Sequence, residues 1–239
     1  MWQVGLSAGV LVVALVGCEG VKPWGGAADT VHQVSTLELL LSGAFDGVAT
    51  VSEVRQHGDF GLGTYDRLDG EMVVLDGTVY QVHGDGSVKV APMHETTPYA
   101  MVTKFVPDVQ FRVPEPMTLT ALEAKLDGRL DDLNAFHAIR VDGVLPKATV
   151  RSIHAQAEPY ADAETLSGTH PTWNLENITG TLVGVRSPSF VGTMAPAGYH
   201  WHFISDDRTL GGHILAAEVG PSLVRVNHNR NWDVRLPMG

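Results

Sequence analysis

Two histidines two residues apart, His200 and His202, stand in the run Gly198-Tyr199-His200-Trp201-His202-Phe203-Ile204. A β-strand alternates faces with period 2, so both imidazoles point to one side and Trp201 and Phe203 to the other, buried side. Ser205-Asp206-Asp207-Arg208 can turn the chain, and Gly211-Gly212 lets a returning strand come close, which brings His213 opposite the pair. Three neutral imidazoles on one face suit Zn²⁺ or a similar divalent ion. Three protein ligands leave coordination positions open, as catalytic sites do. The bound ion also keeps its full +2 charge, fit to stabilise an anion forming on bound substrate. His32, His57, His94, His154, His170 and His228 share no such spacing and are read as ordinary residues.

Strands must hold these ligands, and the chain is rich in strand signals. Met72-Val73-Val74-Leu75 and Thr78-Val79-Tyr80-Gln81-Val82 lie between Asp69-Gly70, Asp76-Gly77 and Gly84-Asp85-Gly86, the pattern of an antiparallel meander. A short helix is predicted to open at Ser35-Thr36-Leu37-Glu38, capped by Ser35 or Thr36 and ended by Gly43. After Pro107, Pro114 and Pro116, the spacing of Leu119, Leu122, Leu126, Leu130 and Leu133 predicts a helix over 119–133. Strands are expected over 135–141 and 148–153 with Asp142-Gly143 as a turn between them, then over 181–185, 199–204, 214–219 and 223–226. The fold class is α+β: two β-rich lobes with few helices, spanning 30–116 and 117–239, the second resembling a half-barrel and carrying the metal ligands.

Composition narrows the function. The chain has 239 residues, with 16 basic and 27 acidic side chains, a formal charge of −11. Such acidity without basic runs argues against nucleic-acid binding. The single cysteine excludes an intramolecular disulfide and any multi-cysteine metal cluster. That cysteine, Cys18, follows an uncharged apolar run over 6–17 that is short for a membrane span and suits a signal peptide. Leu15-Val16-Gly17-Cys18 looks like the lipobox of bacterial lipoproteins. The expectation is a signal peptide over 1–17, a lipidated Cys18, a Pro/Gly-rich tether over 18–29, and an exported, membrane-anchored protein.

Four stretches together resemble the α-acetolactate decarboxylase family. They are Gly58 through Met72 (GDFGLGTYDRLDGEM), Thr97-Pro98-Tyr99-Ala100 with Phe105, Phe136 through Gly143 (FHAIRVDG) leading to Arg151, and Gly198 through His213. The resemblance implies a zinc enzyme that converts 2-acetolactate to acetoin and CO₂. Carried over by motif, it implies His200, His202 and His213 as zinc ligands, Arg151 as the active-site arginine, Glu71 as the carboxylate near the metal, and Thr64 as the nearby hydroxyl. On the residues alone, Arg140 or Arg186 could take the substrate instead, and Glu71 could be a solvated hairpin residue. Some members bring a further carboxylate to the metal on a C-terminal tail. Only 26 residues follow His213, so no such tail is expected here, and Glu218, five residues past His213, falls on the opposite face of a regular strand. A zinc- or ligand-binding lipoprotein with a cupin-like barrel is an alternative, weakened because Ser205-Asp206-Asp207 stands where cupins add a glutamate. A metal-dependent hydrolase is another, but leaves Arg151 unexplained. The sequence leaves a homodimer open.

Overall fold

Asp76 and Gly77 both adopt positive φ, 52° and 76°, the backbone of a tight two-residue hairpin between paired Leu75 and Thr78. This turn belongs to a computed structural model that describes residues 27–237 apart from 162, 167 and 169. The signal-peptide, lipobox and Cys18 expectations lie outside the described residues. In chain order the elements are β1 (Thr30–Val34), α1 (Leu37–Leu41), β2 (Ala49–Thr50), α2 (Val51–His57), β3 (Phe60–Thr64), β4 (Glu71–Leu75), β5 (Thr78–Val82), β6 (Val88–Val90), β7 (Thr96–Thr97), β8 (Ala100–Thr103), β9 (Val109–Val113), β10 (Met117–Thr118), α3 (Leu119–Asp127), β11 (Phe136–Arg151), α4 (Ala163–Leu166), β12 (Thr172–Ser187), β13 (Gly198–Ser205), β14 (Gly211–Val219), β15 (Ser222–Asn229) and β16 (Asn231–Arg235). No helix among the described residues is long and apolar enough to cross a membrane.

Two seven-stranded sheets carry the fold. The first runs β16-β1-β8-β3-β4-β5-β6 and the second β10-β14-β13-β12-β11-β15-β9. An additional β14–β11 pairing closes the second sheet on itself, the half-barrel expected from sequence. Its interior is filled by Ile139, Val150, Leu182, Trp201, Phe203 and Val224, with Leu122 and Leu126 of α3 as the plug. A separate layer joins the two sheets: Phe60, Val73 and Leu75 pack on Ala138, Val183 and Ile204.

The aromatic residues of β13 are held by glycines on its neighbour. A Cβ at Gly184 would lie 2.2 Å from the Trp201 ring, and one at Gly180 2.6 Å from the Phe203 ring. Each ring therefore occupies space that only glycine leaves. Trp201 Nε1 also donates to Glu123 Oε1 at 2.9 Å. With Trp201 and Phe203 fixed inward, strand alternation turns His200 and His202 toward the first sheet.

Several sequence expectations are corrected. Residues 142–143 are not a turn, because β11 runs unbroken from Phe136 to Arg151. Gly143 is instead needed for close approach of the next strand, since a Cβ there would meet Pro221 O at 2.5 Å. The third helix ends at Asp127, capped by Gly128, although the leucine spacing continues to Leu133; Leu130 remains buried and Leu133 is exposed. The first helix is capped by Thr36, one of its two expected caps, whereas α2 was not expected, although Thr50 and Glu53 form its capping box. A boundary at residue 116 does not separate the sheets, because they exchange edge strands. β9 joins the second, where Val113 is buried in its core, and β16 pairs in parallel with β1 in the first, where Trp232 packs and donates to Gln33 Oε1.

The segment after α3 is tied down by His137, whose Nε2 donates to Asp132 O at 2.9 Å. Its Nδ1 is thereby the acceptor of the 2.8 Å bond from His228 Nδ1. Burial holds His137 down at about 4, below the ordinary imidazole value of 6.5. The unfolded chain thus binds the extra proton between those values, and stability is lost as pH falls from about 6.5 to 4, by up to ~3 kcal/mol. Unfolding free energies of wild type and His137→Asn, compared across that range, are expected to differ in slope; parallel curves would refute this.

Candidate metal centre and active site

His202 and His213 are register partners on β13 and β14, and His200 lies two residues back on the same face of β13. Their ligand atoms lie within 4.8 Å of one another. His202 Nδ1 donates to the carbonyl of Met72 at 2.7 Å, which leaves Nε2 with its lone pair, buried and without a hydrogen-bond partner. His200 Nε2 faces His213 Nδ1 at 3.1 Å, and His200 Nδ1 is buried without a partner. A tetrahedral zinc with bonds of about 2.0–2.1 Å has ligand edges of about 3.3 Å, which the 3.1 Å His200–His213 pair matches. Burial first, then the Arg151 charge, holds His200 at about 4. Burial and then the His200 ring push His202 and His213 down as well. At neutral pH all three are therefore neutral and able to coordinate.

Glycines at the start of β14 allow this convergence. Gly212 has φ +138°, and a Cβ there would meet Arg151 O at 2.6 Å; one at Gly211 would meet Phe203 O at 2.6 Å. β14 is thus wedged between β13 and β11, and Arg151 becomes the register partner of His213 on its other side. Arg151 acts electrostatically on Glu71 and on all three histidines.

Glu71 enters from the first sheet. Its carboxylate Oε2 lies 3.4 Å from His202 Nε2, and Oε1 is buried without a partner. Only 5% exposed, it is not a solvated hairpin residue. Burial raises its pKa to about 7, against the opposing pull of Arg151. Thr64 is its cross-strand partner on β3 and donates to Gly70 O at 2.8 Å. The other candidate arginines are engaged elsewhere: Arg140 with Asp76 and Asp142, Arg186 with Asp127 and Leu133 O. All six residues expected at the site, Thr64, Glu71, Arg151, His200, His202 and His213, therefore come from strands that converge between the two sheets.

Two features of the surroundings were misread or missed. A bulge in β14 shifts the register so that Thr149 pairs with Ala216 but Val150 with Ile214. The extra residue restores Glu218 to the face of His213, contrary to the regular-strand expectation. It lines the same groove of about 750 Å³ as His200 and His213, but five residues of strand put it roughly 15 Å from His213. His170, read as ordinary, accepts a hydrogen bond from Arg151 Nη1. Nothing in the local sequence signals this, because it depends on how the connection over 152–171 returns.

Residues 31–239 match the family model for alpha-acetolactate decarboxylase. The chain is 42% identical over 193 residues to the alpha-acetolactate decarboxylase of Methanosarcina mazei, covering 81% of this chain and 67% of that one. It is 35% identical over 217 residues to that of Bacillus licheniformis, covering 91% and 86%. The crystal structure of alpha-acetolactate decarboxylase from Bacillus subtilis strain 168 superposes with a TM-score of 0.86 at 34% identity, covering 88% of this chain and 90% of that one. Family model, sequence identity and fold agree: this chain belongs to the alpha-acetolactate decarboxylase family, a family of carboxy-lyases.

Proposed function

We propose that this protein decarboxylates 2-acetolactate to acetoin and CO₂ with zinc held by His200, His202 and His213. The observation that carries the reading is the convergence on one inter-sheet face of three neutral imidazoles, a buried carboxyl and a guanidinium. Zinc bound there supplies Lewis acidity for the charge that develops on the substrate's ketone oxygen as CO₂ leaves. Arg151 docks the substrate carboxylate through parallel hydrogen bonds and orients the bond that breaks. The electron pair of that C–C bond moves into the adjacent ketone, giving an enediolate. Glu71 then delivers its proton to the carbon that lost CO₂, from one face only, which sets the product's chirality. Burial is what lets Glu71 carry a proton near neutral pH; a dication on the histidines acts in the opposite direction, as Arg151 already does. Thr64, with its hydroxyl proton committed to Gly70 O, is an acceptor on the strand beside Glu71.

Metal-loaded protein given racemic 2-acetolactate is expected to release acetoin, and a chelator to stop it. Loaded protein that makes no acetoin refutes the reading.

The same proposal places the enzyme on the exported side of a bacterial membrane, held by a lipid on Cys18. Cells given labelled palmitate are expected to label the wild-type protein and not Cys18→Ser; equal labelling would contradict the anchor.

A further inference from the structure

The connection over 152–171 leaves the second sheet at Arg151 and returns at Thr172, crossing onto the first sheet on the way. Ser152 Oγ donates to Val82 O at 2.6 Å, Gln156 N to Arg67 O at 2.7 Å and Tyr160 OH to Asp46 Oδ1 at 2.7 Å. Ile153 and Leu166 are buried with Phe45 and Leu68. One side-chain pair ties the two ends of this strap together: Arg151 Nη1 donates to His170 Nδ1.

The chemistry of that pair is unlike that of the arginines held by carboxylates. A guanidinium has no acceptor, so Nδ1 of His170 carries the lone pair and the ring proton is on Nε2, which is buried without a partner. Burial, and then the Arg151 charge, hold the ring below the ordinary imidazole range, consistent with a neutral ring. Arg140, Arg186, Arg225 and Arg235 instead pair with carboxylates. A carboxylate partner neutralises a guanidinium and competes with any anion that approaches it. A neutral imidazole orients the group and leaves its charge intact.

We propose that His170 is the positioning residue of Arg151, aiming the guanidinium at the site while preserving its full positive charge for an incoming substrate carboxylate. This rests on the reading of Arg151 as the carboxylate dock. The test uses zinc-loaded protein and 2-hydroxy-2-methylpropanoate, which has the carboxylate and tertiary hydroxyl of the substrate but no ketone and so cannot be decarboxylated. His170→Ala is expected to weaken its binding about tenfold, the scale of one hydrogen bond to a charged group, and to raise KM for 2-acetolactate more than it lowers kcat. His170→Asn offers an acceptor oxygen in place of Nδ1 and is expected to restore binding to within about threefold. His170→Asp has the same shape but neutralises Arg151, and is expected to remain as weak as alanine or weaker. A packing role would make the asparagine and aspartate variants equivalent. Equal binding by those two, or wild-type binding by His170→Ala, overturns the proposal. If His170→Ala fails to fold, the asparagine and aspartate pair decides alone. Arg151→Ala separates the two layers. If it binds the probe like wild type, the carboxylate dock itself is wrong, and the proposal falls with it. If it binds weakly while the histidine variants do not, only the role of His170 is wrong.

Discussion

A Glu71→Gln variant is expected to keep its zinc and lose about 10²–10⁴-fold in kcat, the usual worth of a positioned general acid. The substitution preserves shape and removes only the transferable proton. Glu71 sits 3.4 Å from His202 Nε2, in a wall between the sheets where burial raises its pKa to about 7. The amide carries no ionisation cost at that buried position, so the unfolding midpoint is expected to stay level or rise. Zinc content by elemental analysis, thermal melting and steady-state kinetics separate these outcomes. Full activity would remove Glu71 from the acid role, and lost zinc would make it a ligand instead.

The second large effect is expected from His202→Ala. His202 is fully buried and is held by its Nδ1 bond to Met72 O, so its free Nε2 has a single orientation. Losing this ligand is expected to weaken zinc binding by more than the 10–100-fold that loss of an outer-shell partner costs. Turnover should fall by about 10³-fold or more, since a bound ion contributes several kcal/mol of charge stabilisation in the transition state. The variant also leaves a cavity and an unpaired Met72 carbonyl, so its melting temperature must be measured alongside. His213→Ala, at a part-exposed position, is expected to show the same zinc defect with a smaller loss of stability. Wild-type zinc affinity in either variant would remove that histidine from the ligand set.

The three histidines that could hold a metal were legible in the sequence because they obey local rules. Period-2 alternation put His200 and His202 on one face, and the Gly211-Gly212 return predicted His213 opposite them, its observed place in register with His202. Asp-Gly likewise marked the β4–β5 hairpin. Asp142-Gly143 carried the same signal and meant something else, because that glycine admits Pro221 and Ser222 across a strand rather than turning the chain. Glu71, Thr64 and Arg151 had no local signal. Glu71 reaches the histidines because Met72 and His202, 130 residues apart, are bonded across the sheets. Only the family motifs selected these residues, and the motifs did not extend to His170. Glu218 was assigned to the wrong face because one bulged residue inverts strand alternation, and nothing in the sequence announces the bulge.

Stepwise addition of zinc to chelator-stripped protein, with acetoin formation from 2-acetolactate followed at each step, tests the central claim most directly. Acetoin production should rise linearly and level off sharply at one zinc per chain, with one CO₂ released per acetoin. Acetoin production indifferent to zinc, or a zinc-saturated protein that forms none, would contradict the account.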